Sequence, residues 1–202
     1  MIDAVVDLSH WQTGPSGGAV DFAAMRQSGV LAVLLKATQG TLWTDATFKM
    51  RAQVAAAAGL LVGAYHFCDS GDPESQVEHF LAVAGPVSRL AIDIEPNSLP
   101  SGTVSITQAA EIVARIQMAT GKLPLAYIGR WGIDGRGTGL PNQVLARCDL
   151  WLPEYGTDPV PPAGWSDWTL WQYTETGSVS GVQGPCDRNR FNGTIEELQA
   201  WW

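Results

Sequence analysis

Short apolar runs recur along the first two thirds of this chain about every 30 residues, with an amphipathic segment between each pair, and that alternation demands parallel βαβ units. Residues 4–8, 31–36, 61–67, 90–95 and 124–129 predict buried strands, because each run is brief and bounded by glycine, proline or polar turns. Helices are predicted over 20–28, 45–58 and 105–120, each stopped by a glycine (Gly29, Gly59, Gly121). Another opens at Asp72-Pro73-Glu74, an N-cap acid followed by proline in the first turn. Ser105 with Gln108, and Thr194 with Glu197, spell capping boxes. Four βα units and a fifth strand point to a barrel rather than a small open sheet. Later strands are expected at 149–154, 169–173 and 182–186, joined by Gly/Pro-rich stretches too polar for long helices. A full eight-fold βα barrel takes about 250 residues. The expectation for these 202 residues is therefore an α/β fold: an irregular, truncated TIM-like barrel with about eight strands and fewer than eight helices. Residues 1–202 are read as one catalytic domain, since the proline-rich stretch 158–164 is too short for a linker.

The run Leu90-Ala91-Ile92-Asp93-Ile94-Glu95-Pro96 alternates apolar and acidic residues until a proline stops it. Strand side chains alternate faces, so Asp93 and Glu95 share one face and Ile92 and Ile94 the other. Catalytic groups of a parallel barrel gather at the C-terminal ends of its strands. That rule selects Asp7, Lys36, Tyr65 with His66, Asp93 with Glu95, Tyr127, Glu154 or Tyr155, and Trp171 with Gln172. Asp187 is placed just after the last strand. Four acids, several aromatic rings and a few amides on one rim have the makeup of a carbohydrate site: acids for catalysis, rings for stacking, amides for hydroxyls. Nine tryptophans against five phenylalanines fit either core packing or sugar stacking.

Other chemistries find less support. A net charge of −8 with no basic run argues against nucleic acid as a partner. No apolar segment approaches the ~18 residues of a membrane span, and no basic stretch followed by an apolar run marks a signal peptide. Cys68, Cys148 and Cys186 make no metal-ligand or CxxC pattern, and an odd count leaves at least one free thiol. His10, His66 and His79 are too scattered for a metal site, so neither metal nor cofactor is expected. Ser9 lacks the GxSxG setting of a serine hydrolase. Cys186 is read as a buried structural thiol.

Several motifs together resemble glycoside hydrolase family 25, the Chalaropsis-type lysozymes that cleave peptidoglycan as N-acetylmuramidases. Asp7-Leu8-Ser9-His10-Trp11-Gln12 is similar to the family's opening DxSxxQ, and Leu35-Lys36-Ala37-Thr38-Gln39-Gly40 to its second-strand KATEG. Gly63-Ala64-Tyr65-His66-Phe67 resembles the third-strand motif and Asp93-Ile94-Glu95 the central DxE. Leu150-Trp151-Leu152-Pro153-Glu154-Tyr155 and Trp171-Gln172-Tyr173-Thr174 resemble late-strand motifs, and Asp187 to Gly193 the closing D-x-N-x-F-x-G. The matches run in order from residue 7 to 193. Two departures stand out: Gln39 where the family usually has Glu, and Cys186 where an aliphatic residue is usual.

The resemblance implies a lysozyme that cuts the β-1,4 bond between N-acetylmuramic acid and N-acetylglucosamine. Glu95 would be the general acid and then the base for water, and the raised carboxyl of the set. Asp93 would orient the acetamido group or stabilise the positive charge; Asp7 and Asp187 would complete the acidic floor. Tyr65, His66, Tyr127, Tyr155, Trp171, Gln172, Lys36 and Gln39 would bind substrate. Carboxyls at i and i+2 of one strand are too close to flank a sugar and a water in the inverting manner, which favours retention. The expected partner is bacterial peptidoglycan, acted on by a monomer with no membrane or nucleic-acid partner. The expected setting is a phage endolysin, made in the host cytoplasm and released to the wall through a holin. The alternatives are an inactive carbohydrate-binding barrel and a glycosidase of another amino-sugar polymer such as chitin.

Overall fold

The first strand, β1 (Ile2–Leu8), shows how the barrel is built: Val6 and Leu8 point outward into one apolar cluster, while Val5 points inward into another. Asp7 shares the inward face with Val5, because side chains two apart on a strand point the same way. The computed structural model describes residues 1–129 and 142–202. In them β1 is followed by α1 (Phe22–Gln27), β2 (Ala32–Gln39), β3 (Trp43–Thr44), α2 (Phe48–Ala57), β4 (Leu61–Phe67) and α3 (Pro73–Ala84). Then come β5 (Arg89–Asp93), α4 (Ile106–Thr120), β6 (Leu125–Tyr127), β7 (Leu150–Pro153), β8 (Leu170–Gly177), β9 (Cys186–Phe191) and α5 (Ile195–Trp201).

Eight strands close on themselves in the order β1-β9-β8-β7-β6-β5-β4-β2, with β2 pairing back to β1. The two-residue β3 lies outside the ring as a hairpin on β2. Mixed α/β composition, a closed eight-stranded barrel and five α-helices among the described residues match the expected truncated barrel.

Local chemistry sets the helices. The Asp72 carboxylate accepts from the Ser75 amide ahead of Pro73, and both predicted capping boxes are formed. Helix α2 starts later than expected because Asp45 accepts from the Thr47 and His10 amides instead of extending a helix.

The last strand needs correction. The expected strand at 182–186 is instead Cys186–Phe191, antiparallel to both β1 and β8. Asp187 therefore lies near the start of a strand rather than beyond its end. It still reaches the catalytic rim, because an antiparallel strand begins where its parallel neighbours finish; Asp187 pairs in register with Asp7.

Two apolar layers follow from strand parity. The outer one joins strand residues such as Val33, Leu35, Ile92 and Leu152 to Phe80, Ile112 and Ile116 of the helices. The inner one fills the barrel with Val5, Leu34, Ala91, Leu125 and Leu170, stoppered by Leu198 and Trp202. Gly63 makes room for that stopper, since a Cβ there would lie 2.7 Å from Leu34 Cδ2 and 3.1 Å from Trp202 Cζ2. With one end plugged, a cavity can open only at the other.

Candidate active site

Above the apolar plug comes an aromatic layer. Trp151 meets the Tyr127 ring edge-on at 4.7 Å between centroids and the Tyr65 ring at 6.0 Å. Over these rings opens a cavity of about 200 Å³ lined by Asp7, Asp93, Glu95, Asp187 and Glu175 with Tyr65, Tyr127, Tyr155, Trp151 and Gln172. The four acids chosen from sequence thus converge, from β1, the end of β5 and β9.

A hydrogen-bonded chain holds Asp7 in place. Asn189 Nδ2 donates to Asp7 Oδ1 at 2.8 Å, and Gln172 Nε2 donates to the same oxygen at 3.1 Å. The Gln172 amide is oriented by Tyr127 and Tyr155, whose hydroxyls donate to its Oε1 at 2.9 and 3.2 Å. Trp151 Nε1 donates to Asn189 Oδ1 at 2.6 Å, so that amide is oriented as well.

Burial raises all four acids, and neighbouring negative charge adds to it at Asp93, Glu95 and Asp187. Asp187 is pushed up to about 9, first by burial and then by the Asp7 charge it faces. It therefore holds its proton at neutral pH and can donate it to Asp7. Burial also raises Asp7, while donation from Asn189, Gln172 and Asp187 holds that rise back. Asp93 lies well above the usual carboxylate range, through burial and the neighbouring Glu95 charge. Glu95 is raised by burial, with Lys36 opposing the rise. The expectation that Glu95 is the raised member is thus too narrow, because the deeper Asp93 loses more water. Asp93 Oδ1 is buried with no hydrogen-bond partner among the described residues.

Two residues picked for substrate binding point the other way. His66 lies between inward Tyr65 and outward apolar neighbours, and its ring is fully buried between β4 and α3. Its Nδ1 meets Thr38 Oγ1 at 2.8 Å and its Nε2 meets Gln76 Oε1 at 3.1 Å, and burial pushes it down to about 4. Trp171 alternates with inward Gln172 and so packs in the outer layer, donating from Nε1 to the Glu154 carbonyl at 2.6 Å. On one strand, adjacent residues cannot both face the lumen. Lys36 and Gln39 line a neighbouring groove instead of the acidic cavity.

Sequence reasoning missed Trp151, Asn189 and Glu175. Parity could have found two of them, since Trp151 is flanked by outward Leu150 and Leu152, and Asn189 is two residues from Asp187. Glu175 follows irregularities in the β8–β9 pairing, where the strand period no longer predicts direction.

A barrel with a plugged floor and an acid-lined mouth has the makeup of a site for cleaving glycosides. The family model for glycosyl hydrolases family 25 matches residues 6–182. Lysozyme M1 of Streptomyces globisporus is 33% identical over 213 residues, covering 96% of this chain and 69% of that protein. The N,O-diacetylmuramidase of Chalaropsis sp is 30% identical, with 96% of this chain and 95% of that protein covered. The crystal structure of the bacterial lysozyme from Streptomyces coelicolor superposes with a TM-score of 0.84 at 31% identity, over 99% of this chain and 97% of that one. The chain belongs to glycosyl hydrolases family 25 and is a glycoside hydrolase.

Proposed function

We propose that this cavity hydrolyses the β-1,4 bond that follows N-acetylmuramic acid in bacterial peptidoglycan. The observation that carries the reading is the convergence of four proton-holding or charge-bearing carboxyls in one cavity of a family 25 barrel. Relatives named lysozyme and N,O-diacetylmuramidase support the substrate.

Glu95 is the best placed proton carrier: it lies past the end of β5, is only partly buried, and is raised by burial and the Asp7 charge, the direction a general acid needs. It protonates the glycosidic oxygen as the bond to the anomeric carbon breaks. The acetamido carbonyl oxygen of the muramic residue attacks that carbon from the other face and closes an oxazolinium ring. Glu95, now ionised, takes a proton from water, whose oxygen opens the ring with net retention. Asp93 Oδ1, unpartnered among the described residues, can accept the acetamido N–H, which aims the carbonyl at the carbon. Asp7, steadied by three donors, provides negative charge close to the developing oxocarbenium.

Replacement of Glu95 by Gln keeps the shape and removes the proton. Turnover measured by reducing ends from purified walls is expected to drop by about 10² to 10⁴-fold with the melting temperature preserved. Comparable turnover in the variant would overturn the role. Muramic acid at the new reducing ends separates a muramidase from a chitin-type glycosidase, and proton NMR of the first-formed anomer tests retention.

A further inference from the structure

A second groove, of about 560 Å³, opens beside the acidic cavity. Its walls come from three loops at the same end of the barrel: Trp11 after β1, Leu42 and Trp43 on the β2–β3 hairpin, and Leu99 after β5. All four are exposed, Trp11 by 79% and Leu42 by 87%, an unusual concentration of apolar surface for a chain of this charge. The groove is built rather than incidental. The His10 ring packs at a tilt against Trp11 at 4.5 Å and Trp43 at 5.2 Å, and its amide donates to buried Asp45 Oδ2 at 2.8 Å. Gln12 Oε1 accepts from the Ser9 amide, and Arg51 holds the Ser9 and Gln12 carbonyls. The Ser9 and Gln12 of the opening motif therefore hold the loop that presents His10 and Trp11.

Between groove and cavity stands Lys36, in register with Tyr65 of the cavity wall. Its Nζ donates to Gln39 Oε1 at 2.9 Å and lies over the Phe67 and Trp43 rings at 4.6 and 5.3 Å. Among the described residues no carboxylate lies within ion-pair distance of it, and the charges of Asp93, Glu95 and Asp45 act on it only from farther away. An ammonium has three N–H donors, and the rings and Gln39 do not use them all. Asp69, an acid that also lines the groove, is engaged with the Gly71 amide at 2.9 Å, and Asp45 is covered by His10.

We propose that this groove is an accessory site for a carboxylate-bearing part of the wall polymer, with Lys36 Nζ as the anion-binding group and Trp11 and Trp43 as the apolar walls. The proposal rests on the muramidase reading and narrows its substrate. In the polymer the lactyl carboxyl of muramic acid is consumed in the amide that joins the peptide stem, so the free carboxylates are those of the stem. Gln39 in place of a glutamate puts no carboxylate in contact with the ammonium, which leaves N–H donors for one of them. An anionic ligand is thereby recognised locally by a protein whose overall charge would repel it at long range.

The test uses solubilised peptidoglycan strands with free stem carboxylates, and the same strands after coupling those carboxylates to methylamine. For the wild type, KM for the amidated strands is expected to exceed that for the free-acid strands by about three- to tenfold, and the ratio should shrink with added salt. Gln39→Glu places a carboxylate on Lys36 and should bring the ratio close to one. Trp43→Ala should raise both KM values and keep the ratio. Equal KM values in the wild type, or a ratio unchanged by Gln39→Glu, would overturn the proposal. If the wild type releases no reducing ends from either strand, the muramidase reading fails, and the ratio of dissociation constants for the two strands, by calorimetry, then decides the groove by the same criteria.

Discussion

Asn189 shows how much one buried side chain can hold. It donates to Asp7 and accepts from Trp151, joining a carboxylate of the cavity to the aromatic layer below. Asn189→Ala strands a buried indole N–H and removes a donor from Asp7, at a cost of about 1–3 kcal/mol. Thermal unfolding should show the loss as a melting temperature lower by ~2–4 °C per kcal/mol. A purely structural role would leave the pH dependence alone. Loss of a donor instead raises Asp7 further, so the acid limb of the pH–rate profile should move to higher pH; an unmoved limb would reduce Asn189 to packing. The neighbouring Cys186 is buried with its thiol pushed up by burial, as expected for an inert structural thiol.

At the scale of elements, helices were legible because their ends are written in short-range chemistry. The pairs Ser105–Gln108 and Thr194–Glu197 cap α4 and α5 as their spacing implied. Helix α5 matters beyond its length, since it carries Leu198 and leads to Trp202, the stopper of the barrel. Thr194→Ala removes the acceptor for the Glu197 amide and should cost about 1 kcal/mol. Differential scanning calorimetry is expected to register a melting temperature lower by ~2–4 °C, with kcat per folded molecule unchanged. An unchanged melting temperature would mean that packing alone holds α5. Strands were legible where apolar runs are continuous. They were misread at 182–186, because the antiparallel β9 that follows (Cys186–Phe191) is polar and mixed in pattern, with Arg188 and Arg190 alternating with Asp187 and Asn189.

At the scale of the molecule, the acidic cavity sets stability against function. Asp187 is raised from 3.8 to about 9, so the folded state binds a proton that the unfolded chain releases. Its contribution to stability is fully present below pH 3.8 and is lost as pH rises through about 9. His66 acts at the acid side: burial lowers it from 6.5 to about 4, so stability falls as the pH drops through that interval. Melting temperature is expected to decline from mildly acidic to alkaline pH. Asp187→Asn should flatten that decline and raise the melting temperature at pH 8, while lowering turnover. A variant that melts with the same pH slope as the wild type would show that the Asp7–Asp187 pair carries no such strain.

The chain's own pattern determined the class of fold, the capped helix starts and the acids Asp7, Asp93, Glu95 and Asp187, because period, caps and strand ends are local properties. Parity along each strand was equally local, and it assigns Tyr65 and Gln172 to the lumen and His66 and Trp171 to the outer layer. Only the tertiary structure decided the direction of β9, the separation of the Lys36 groove from the acidic cavity, and that all four carboxyls are raised. Those depend on which strands become neighbours and how much water each group loses, and neither quantity exists until the barrel closes.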